Sequence, residues 1–321
     1  MKLLDFAPWR MGLFCTAQSV GSPAGFYLSS HFQAIFSAEQ RRPVAYEALI
    51  RATSAAGLSI TPPQLFESVP EGEARTKFDR QCRSLQVEKF IGLGDARSLL
   101  FLNLDPYVAV NGRRFGSFFA QMLQSHGFPA NRVAVELTEL PLQAEDRLAS
   151  AVDHYRELGC QIVIDDFGAG HSNFDRIWRL KPHIVKIDRE MTRRVTTEPV
   201  AHRMFAGIVA VLHDAGALVC VEGIETEDEA LCAIDAKADL LQGYYFSRPA
   251  ETLVAEDACS DVFGRLREMS ERRLPDEAAD AALDSNPMTR LPKPFSRCRL
   301  GWNAGRRRKH FPGFSPGGAA A

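Results

Sequence analysis

Short apolar segments recur along this chain, and most of them end on a side chain that could bind a cation. The segments cover residues 44–47, 99–103, 133–136, 162–166, 184–186, 218–222 and 240–242. Their terminal residues are Glu47, Asn103, Glu136, the pair Asp165 and Asp166, Lys186, Glu222 and Gln242. Apolar runs of this length, bounded by turn residues, are typical of buried strands. Parallel strands of one barrel share a face at their carboxyl ends, so these side chains are predicted to converge.

Helical patterns separate the predicted strands. They cover residues 73–91, 145–158, 174–180, 199–215, 227–237 and 259–273. Thr226 and Glu229 have the spacing of a capping box at the start of one of these helices. Strands that alternate with crossover helices indicate right-handed βαβ units and a parallel sheet.

The first two predicted strands follow a different pattern. Residues 25–36 and 43–51 are joined by a short polar turn at 37–42, and so short a link favours an antiparallel pair. The chain has 321 residues, which leaves room for one α/β barrel of about 250 residues with segments on either side.

Composition narrows the class of protein. Apolar residues make up 45% and charged residues 24%, as in ordinary globular proteins. The seven cysteines are scattered and form no CxxC pair, which indicates reduced thiols in a cytoplasmic protein. No apolar run approaches the roughly 18 residues that a membrane span needs, so we expect no membrane association.

Charge is distributed unevenly along the chain. The net charge is −2, yet residues 287–321 contain eight Lys or Arg and no acid. We predict that residues 274–321 form a disordered, basic tail rich in Pro and Gly. Such a tail could bind nucleic acid without sequence preference. A solvated extension is the simpler interpretation, and nucleic acid is not an expected partner.

Asp165 and Asp166 carry the strongest chemical signal. Adjacent side chains on an extended strand point to opposite faces, but a turn through Phe167 and Gly168 could aim both carboxylates at one region. Alone, such a pair is more often a helix cap or part of a solvated loop. The other acids at equivalent strand ends favour a site for divalent metal.

Lys186 would be unfavourable to bury without partners. Beside several carboxylates it is stabilised and could position or polarise a water molecule. Asp188 follows on the same face and could neutralise it. Arg51, four residues after Glu47, suits a phosphate group because its guanidinium fork matches two phosphate oxygens.

Two further acids each follow a strand-end acid by three residues. Glu139 follows Glu136, and Glu225 follows Glu222. We interpret the first acid of each pair as part of the site and the second as a loop anchor. A solvated or capping role for Glu139 and Glu225 remains open.

These residues match the motifs of a known family. They stand here as Glu47-Ala48-Leu49 with Arg51, His31-Phe32-Gln33, Leu102-Asn103-Leu104, Glu136-Leu137-Thr138-Glu139, Asp165-Asp166-Phe167-Gly168, Lys186-Ile187-Asp188, Glu222-Gly223-Ile224-Glu225-Thr226 and Gln242-Gly243-Tyr244. From residue 26 to 273 the chain resembles an EAL domain, the bacterial phosphodiesterase domain that hydrolyses cyclic di-GMP to linear pGpG. So many motifs in order are highly specific.

The resemblance implies a modified TIM (β/α)8-type barrel with an antiparallel first strand. It implies two Mg2+ or Mn2+ ions per active site, bound by Glu47, Asn103, Glu136, Asp165 and Asp166. It also implies that Lys186 and Glu222 hold the attacking water, Glu222 being either a metal ligand or a general base. The implied substrate contacts are Gln33, Leu49, Arg51, Gln242 and Pro249.

Some features bear on regulation. Ala52, Leu140, Ala169 and His171 depart from the residues common in this family, although none is a proposed ligand. The last two lie in a loop that couples dimerisation to catalysis in the family, and we expect a homodimer. About 25 residues precede the barrel, which suggests a stand-alone EAL protein. A catalytically silent domain that binds cyclic di-GMP, or a partner protein, is the alternative function.

Overall fold

Eight strands close into a barrel in the computed structural model, which describes residues 13–15, 26–111, 118–137, 145–169 and 174–273. The strands of the described residues are β1 (Leu13–Cys15), β2 (Phe26–Ser37), β3 (Pro43–Ser54), β4 (Ser59–Ile60), β5 (Leu99–Leu104), β6 (Val133–Leu137), β7 (Gln161–Phe167), β8 (Ile184–Ile187), β9 (Leu218–Val221) and β10 (Leu240–Leu241). The short strands β1 and β4 lie outside the closed ring and extend it at β2 and β3.

The ring closes through its one antiparallel member. Strand β2 pairs antiparallel with β3 on one side and with β10 on the other. All other neighbours from β3 through β5, β6, β7, β8, β9 and β10 are parallel. The predicted fold, a modified (β/α)8-type barrel with an antiparallel first strand, is confirmed. We call the end where the parallel strands finish the mouth.

Helices surround the barrel. They are α1 (Pro62–Glu67), α2 (Glu73–Gly92), α3 (Pro106–Asn111), α4 (Phe118–Ser125), α5 (Glu145–Glu157), α6 (Phe174–Leu180), α7 (Arg189–Thr197), α8 (Pro199–Asp214), α9 (Glu227–Asp235) and α10 (Ser260–Arg273). The predicted capping box is present at α9, where Thr226 and Glu229 satisfy each other's backbone N–H groups. The predicted helices are found within two residues of their expected ends.

A layer of apolar side chains fills the barrel beneath the mouth. Each member lies two positions from a polar strand-end residue, so both point to the barrel interior. The layer includes Ile35, Ala45, Phe101, Ala134, Val163, Ile184, Cys220 and Leu240, all at most 3% exposed. This layer holds the polar residues at the mouth, where they can meet ligands from above.

The β2–β3 pair forms a wall on one side of the mouth. Its register places Gln33 opposite Glu47 and His31 opposite Leu49. Cross-strand partners share a face of the sheet, so these four side chains face the same side. Arg51 follows on that face, opposite Ser29.

Several sequence predictions concern parts of the chain outside the described residues. They are the tail at 274–321, Glu139, and the family departures Leu140 and His171. Within the described ranges, no helix combines the length and apolar character that spanning a membrane requires. The described cysteines include five buried free thiols, Cys82, Cys160, Cys220, Cys232 and Cys259.

Candidate active site

Four carboxylates surround Lys186 at the mouth. Its Nζ lies 2.9 Å from Glu136 Oε1, 3.0 Å from Glu222 Oε2, 3.2 Å from Asp165 Oδ1 and 3.3 Å from Glu47 Oε2. The lysine side chain is only 1% exposed. The predicted convergence of strand ends therefore occurs, and the lysine occupies its centre.

Two amides hold Glu47 in place. Asn103 Nδ2 donates to Glu47 Oε1 over 3.0 Å, and Gln242 Nε2 donates to Glu47 Oε2 over 2.7 Å. Gln33 lies next to Gln242, with 3.3 Å between Gln242 Nε2 and Gln33 Oε1, and donates to the carbonyl of Ser247. These contacts tie the carboxylate of Glu47, on β3, to Asn103 on β5 and to Gln242 directly after β10.

A bulge at the end of β7 turns Asp166. Pairing with β8 is interrupted between Ile164 and Phe167, and Asp166 has φ of 56°. Aspartate tolerates this left-handed conformation better than most residues. As a result, Asp165, Asp166 and Glu222 each present an oxygen atom to one region, all within 4.8 Å of one another.

The cluster has the composition of a cation site. Four carboxylates around one ammonium leave three negative charges uncompensated when all are ionised. Glu136 Oε2 is buried and accepts no hydrogen bond from the described residues, while the buried Glu136 Oε1 and Asp165 Oδ1 lie beside the Lys186 ammonium. Hard divalent cations prefer oxygen ligands, so the residues present fit such ions.

The charges in the cluster affect one another strongly. Burial disfavours the charge on Lys186, but the carboxylates, Glu136 first, raise its pKa well above the ordinary value. Burial also disfavours the charge on Glu47, yet Lys186 and the two amides outweigh it and lower the pKa of Glu47. Lys186 and Glu47 are therefore both charged at neutral pH.

The pKa values of Glu136 and Glu222 are raised, in contrast to that of Glu47. Burial and the neighbouring charge of Glu47 raise the pKa of Glu136 well above its ordinary value, against the effect of Lys186. Burial, opposed by Lys186 and reinforced by Asp165, raises the pKa of Glu222 to about 8. Near neutral pH the Glu222 carboxyl group therefore retains a proton that a cation would displace, and the raised pKa of Glu136 acts in the same direction.

The mouth opens into two cavities on either side of Glu47. The larger, of about 570 Å³, lies between β3, α1 and α2. Apolar side chains such as Ile50, Phe66 and Leu104 line it, together with the buried pair Asp79 and Arg83. Sequence analysis missed this pair because its i, i+4 spacing on a helix resembles a solvated ion pair.

The smaller cavity, of about 260 Å³, lies beside β9 and β10. Tyr244 borders it, 47% exposed, with the Arg248 guanidinium 4.4 Å from its ring centroid. Gly243 is required beside it, because a Cβ there would lie 2.0 Å from the carbonyl oxygen of Ile224. An aromatic residue two positions after the strand-end Gln242 was the available sequence signal for Tyr244.

The remaining candidates occupy varied positions. Arg51 lies on the wall and donates to the carbonyl of Ile50, and Leu49 lines the larger cavity. Neutralising Lys186 was one possible role for Asp188; in the structure it caps α7 by accepting a hydrogen bond from the Glu190 backbone. Asp188 thus starts a helix, and Glu47, Glu136, Asp165 and Glu222 supply the counter-charge to Lys186.

Two candidates remain: Pro249, predicted to contact substrate, and Glu225, predicted to anchor a loop. Pro249 precedes Ala250, whose backbone pairs with Phe32 of β2. Glu225 forms an ion pair with Arg189 over 2.8 Å and is 40% exposed at its side chain. Its ion-pair partner is therefore Arg189, whereas Glu222 contacts Lys186.

Comparison with known proteins gives consistent matches. The family model described as EAL domain matches residues 26–249. The uncharacterised EAL-domain protein YkuI of Bacillus subtilis is 28% identical over 71% of this chain and 56% of its own length. The cyclic di-GMP phosphodiesterase RocR of Pseudomonas aeruginosa is 29% identical over 54% of this chain and 44% of its own length. The chain thus spans about half the length of these two relatives.

Solved structures resemble the barrel. The YkuI structure in complex with substrate cyclic di-GMP and calcium has a TM-score of 0.67 at 25% identity, over 76% of this chain and 61% of its own. A complex of Klebsiella pneumoniae BlrP1 with manganese and cyclic di-GMP has a TM-score of 0.62 at 27% identity, over 70% of this chain and 56% of its own.

Proposed function

The chain belongs to the EAL domain family, and we propose that it is a metal-dependent phosphodiesterase that hydrolyses cyclic di-GMP to linear pGpG. The observation that carries the proposal is the set of four carboxylates within 3.3 Å of one buried lysine. Related proteins described as cyclic di-GMP phosphodiesterases support the reaction. Structures of relatives with bound cyclic di-GMP support the substrate.

We propose that two divalent cations, Mg2+ or Mn2+, complete the site. Glu47, Asn103, Glu136 and Asp165 would hold one, and Asp165 together with Asp166 the other. The close approach of Asp165, Asp166 and Glu222 supports this division. When bound, such ions polarise the phosphate and stabilise the attacking and leaving oxygens of an in-line displacement.

The chain's own residues would direct the attacking water. Lys186 Nζ lies 3.0 Å from Glu222 Oε2, so both groups could hydrogen-bond one water molecule. Glu222 would accept a proton from it as general base or bind metal; the surrounding charges suit both roles. The water oxygen forms a bond to phosphorus, the bond to one ribose 3′ oxygen breaks, and that oxygen takes up a proton.

The two cavities would accommodate the two nucleoside halves of the substrate. They meet at Glu47, so a phosphodiester placed over the acids has space for a base on either side. Gln33, Leu49, Arg51, Gln242 and Pro249 remain the proposed contacts. Arg51 on the β2–β3 wall would bind a phosphate oxygen pair.

We also propose a homodimer. Phe174 and Trp178 on α6 are 38% and 66% exposed, and this helix follows the segment that begins with Asp165 and Asp166. Large exposed apolar side chains in a cluster are typical of interaction surfaces. Light scattering during size-exclusion chromatography should give twice the chain mass, and Trp178→Ala should give the monomer. A wild-type monomer at high concentration would contradict the dimer.

One assay tests the reaction. Purified protein is mixed with cyclic di-GMP and Mg2+ or Mn2+, and the nucleotides are separated. We expect pGpG with either ion. With Ca2+, whose ligand distances are longer, we expect binding with little turnover. Nucleotide binding without pGpG in all three ions would support the catalytically silent receptor instead.

A further inference from the structure

The first turn of α7 contacts the two segments that carry the cluster of Asp165, Asp166 and Glu222. We infer that this turn, residues 188–192, sets the separation between Asp166 and Glu222, with Met191 and Thr192 as positioning residues. The inference rests on the proposed metal site, and it assigns a function to residues outside that site.

Thr192 supports the strand end that carries Glu222. Its side chain is buried, with the residue 2% exposed, and its Oγ1 donates to the Glu222 carbonyl oxygen over 2.9 Å. The carbonyl of Asp188, at 3.2 Å, is the alternative acceptor within the helix. A threonine hydroxyl has one hydrogen to donate, and the shorter contact leads to β9.

The chain after Glu222 passes directly over the same turn. Gly223 has φ of 68°, and a Cβ at this position would lie 2.4 Å from Arg189 Cβ and 2.9 Å from Arg189 Cα. Only glycine permits this approach without displacing the turn. Thr192 therefore supports the backbone carbonyl of Glu222, and Arg189 packs against the next residue, Gly223.

Met191 supports the segment that carries Asp166. Gly168 has φ of 102°, and a Cβ there would lie 2.4 Å from Met191 Cε. The backbone N–H of Asp188 donates to the carbonyl of Phe167 over 3.0 Å. The residues that follow Asp166 therefore rest on the side chain and backbone of the same turn.

The turn is itself fixed to the strand of the central lysine. Asp188 follows Lys186 by two residues and caps α7, its Oδ1 accepting from Glu190 N over 2.8 Å. Three neighbouring strand ends, those of β7, β8 and β9, thus share one support. A shift of this turn would change the distance between Asp166 and Glu222 while leaving Glu47 and Asn103 unaffected.

Thr192→Val tests the inference, because valine keeps the shape of threonine and lacks its hydroxyl. Thr192→Ser keeps the hydroxyl and should restore the wild-type behaviour. Thr196→Val is the matched control, since Thr196 is an exposed residue of the same helix and its hydroxyl donates locally, to the Arg193 carbonyl. Met191→Ala removes the support of Gly168 independently of the hydroxyl.

The primary measurement is calorimetric titration of the protein with Mn2+ alone. Loss of groups that orient metal ligands weakens affinity by about 10- to 100-fold, and we expect this for Thr192→Val and Met191→Ala. Steady-state kinetics should show a lower kcat and a KM within about threefold of wild type, since neither residue borders the two cavities. Thr192→Ser and Thr196→Val should match wild type.

The outcomes separate this inference from the proposed reaction. Wild-type Mn2+ affinity in both Thr192→Val and Met191→Ala would overturn the inference even if the enzyme hydrolyses cyclic di-GMP. Weakened Mn2+ binding in those variants would support it even if the wild type forms no pGpG. If Thr192→Val does not fold, as judged by circular dichroism, Met191→Ala and Thr192→Ser decide by the same criteria.

Discussion

Lys186 Nζ lies 2.9 Å from Glu136 Oε1, and at 1% and 0% exposure neither side chain reaches solvent. Burying one such pair is unfavourable unless additional polar groups surround it. Here three more carboxylates contact the lysine, so the acids around the ammonium outnumber its single positive charge. The pair permits several acids to exist in an apolar barrel, and the remaining negative charge favours cations.

Glu47→Ala should abolish hydrolysis and leave the fold intact. Glu47 accepts hydrogen bonds from Asn103, Lys186 and Gln242, but its removal also relieves repulsion from the other acids. Loss of groups that only orient metal ligands already lowers activity by about 10- to 100-fold, so loss of Glu47, a proposed direct ligand, should lower it by about 100-fold or more. Activity assays and circular dichroism check this.

Glu47→Gln is the companion variant, because it keeps the size of the side chain and removes the charge. It should be as inactive as the alanine variant and unfold at a temperature close to that of wild type. Retention of most wild-type turnover by either variant would remove Glu47 from the metal site.

Glu222→Gln should separate catalysis from binding. A positioned acid or base contributes about 10²- to 10⁴-fold to rate, so turnover should fall by this amount. Cyclic di-GMP affinity should stay within a few-fold, because the amide keeps the shape. Titration of wild type in Ca2+ and of the variant in Mg2+ measures affinity without substrate loss. A variant with normal turnover would exclude Glu222 from the handling of water.

Metal binding should release protons at neutral pH. The pKa of Glu222 is raised to about 8, so below that pH its carboxyl group is mostly protonated until a cation displaces the proton. Affinity for Mn2+ should therefore rise with pH, by about tenfold per unit for each proton released, and the contribution of Glu222 should level off above about pH 8. Titrations in buffers of different ionisation enthalpy count the protons.

Glu222→Gln is again the control, since it removes one titrating group. We expect proton release near pH 7 to decrease by about one proton in this variant. Glu136, whose pKa is also raised, should account for the release that persists. An affinity independent of pH between about 6 and 8 would contradict the protonated state of Glu222.

A chain that ends at Arg273 should keep full turnover. We propose residues 26–273 as the catalytic unit, and the composition of residues 274–321 offers little apolar surface for packing on the barrel. A chain that ends before α10 is the control, because it loses Phe263, which stacks on Phe246, and the fully buried Leu266. Only this shorter chain should lose thermal stability. If the chain that ends at Arg273 were about tenfold less active than the full chain, the tail would contribute to catalysis.

The strand ends could be predicted from sequence because each ends a buried apolar run. Lys186 lies two residues after Ile184, and Glu136 two residues after Ala134, so each pair points to the same face of its strand. This spacing can be read directly from the sequence. The antiparallel start followed from the short link before β3. These features depend on near neighbours in sequence, and the structure agrees with them.

Other features depend on distant residues. The pairing of β1 with β2 was not predicted, because its three residues carry no distinctive pattern. The capping role of Asp188 was not predicted, because its position two residues after Lys186 does not reveal which way the chain turns. The contacts of Met191 and Thr192 join α7 to loops 20 or more residues away, and no spacing rule indicates them.

The direction of β2 determines where the chain enters the barrel. Because β2 runs opposite to the other strands of the ring, its first residue, Phe26, lies at the mouth and pairs with Ser54. In a barrel of uniformly parallel strands the chain would enter at the far end. Here residues 13–15, added to the sheet beside the start of β2, lie at the mouth end of the barrel. A reporter domain joined directly to residue 13 would therefore start at the mouth end, next to the proposed site, and not at the opposite end of the barrel.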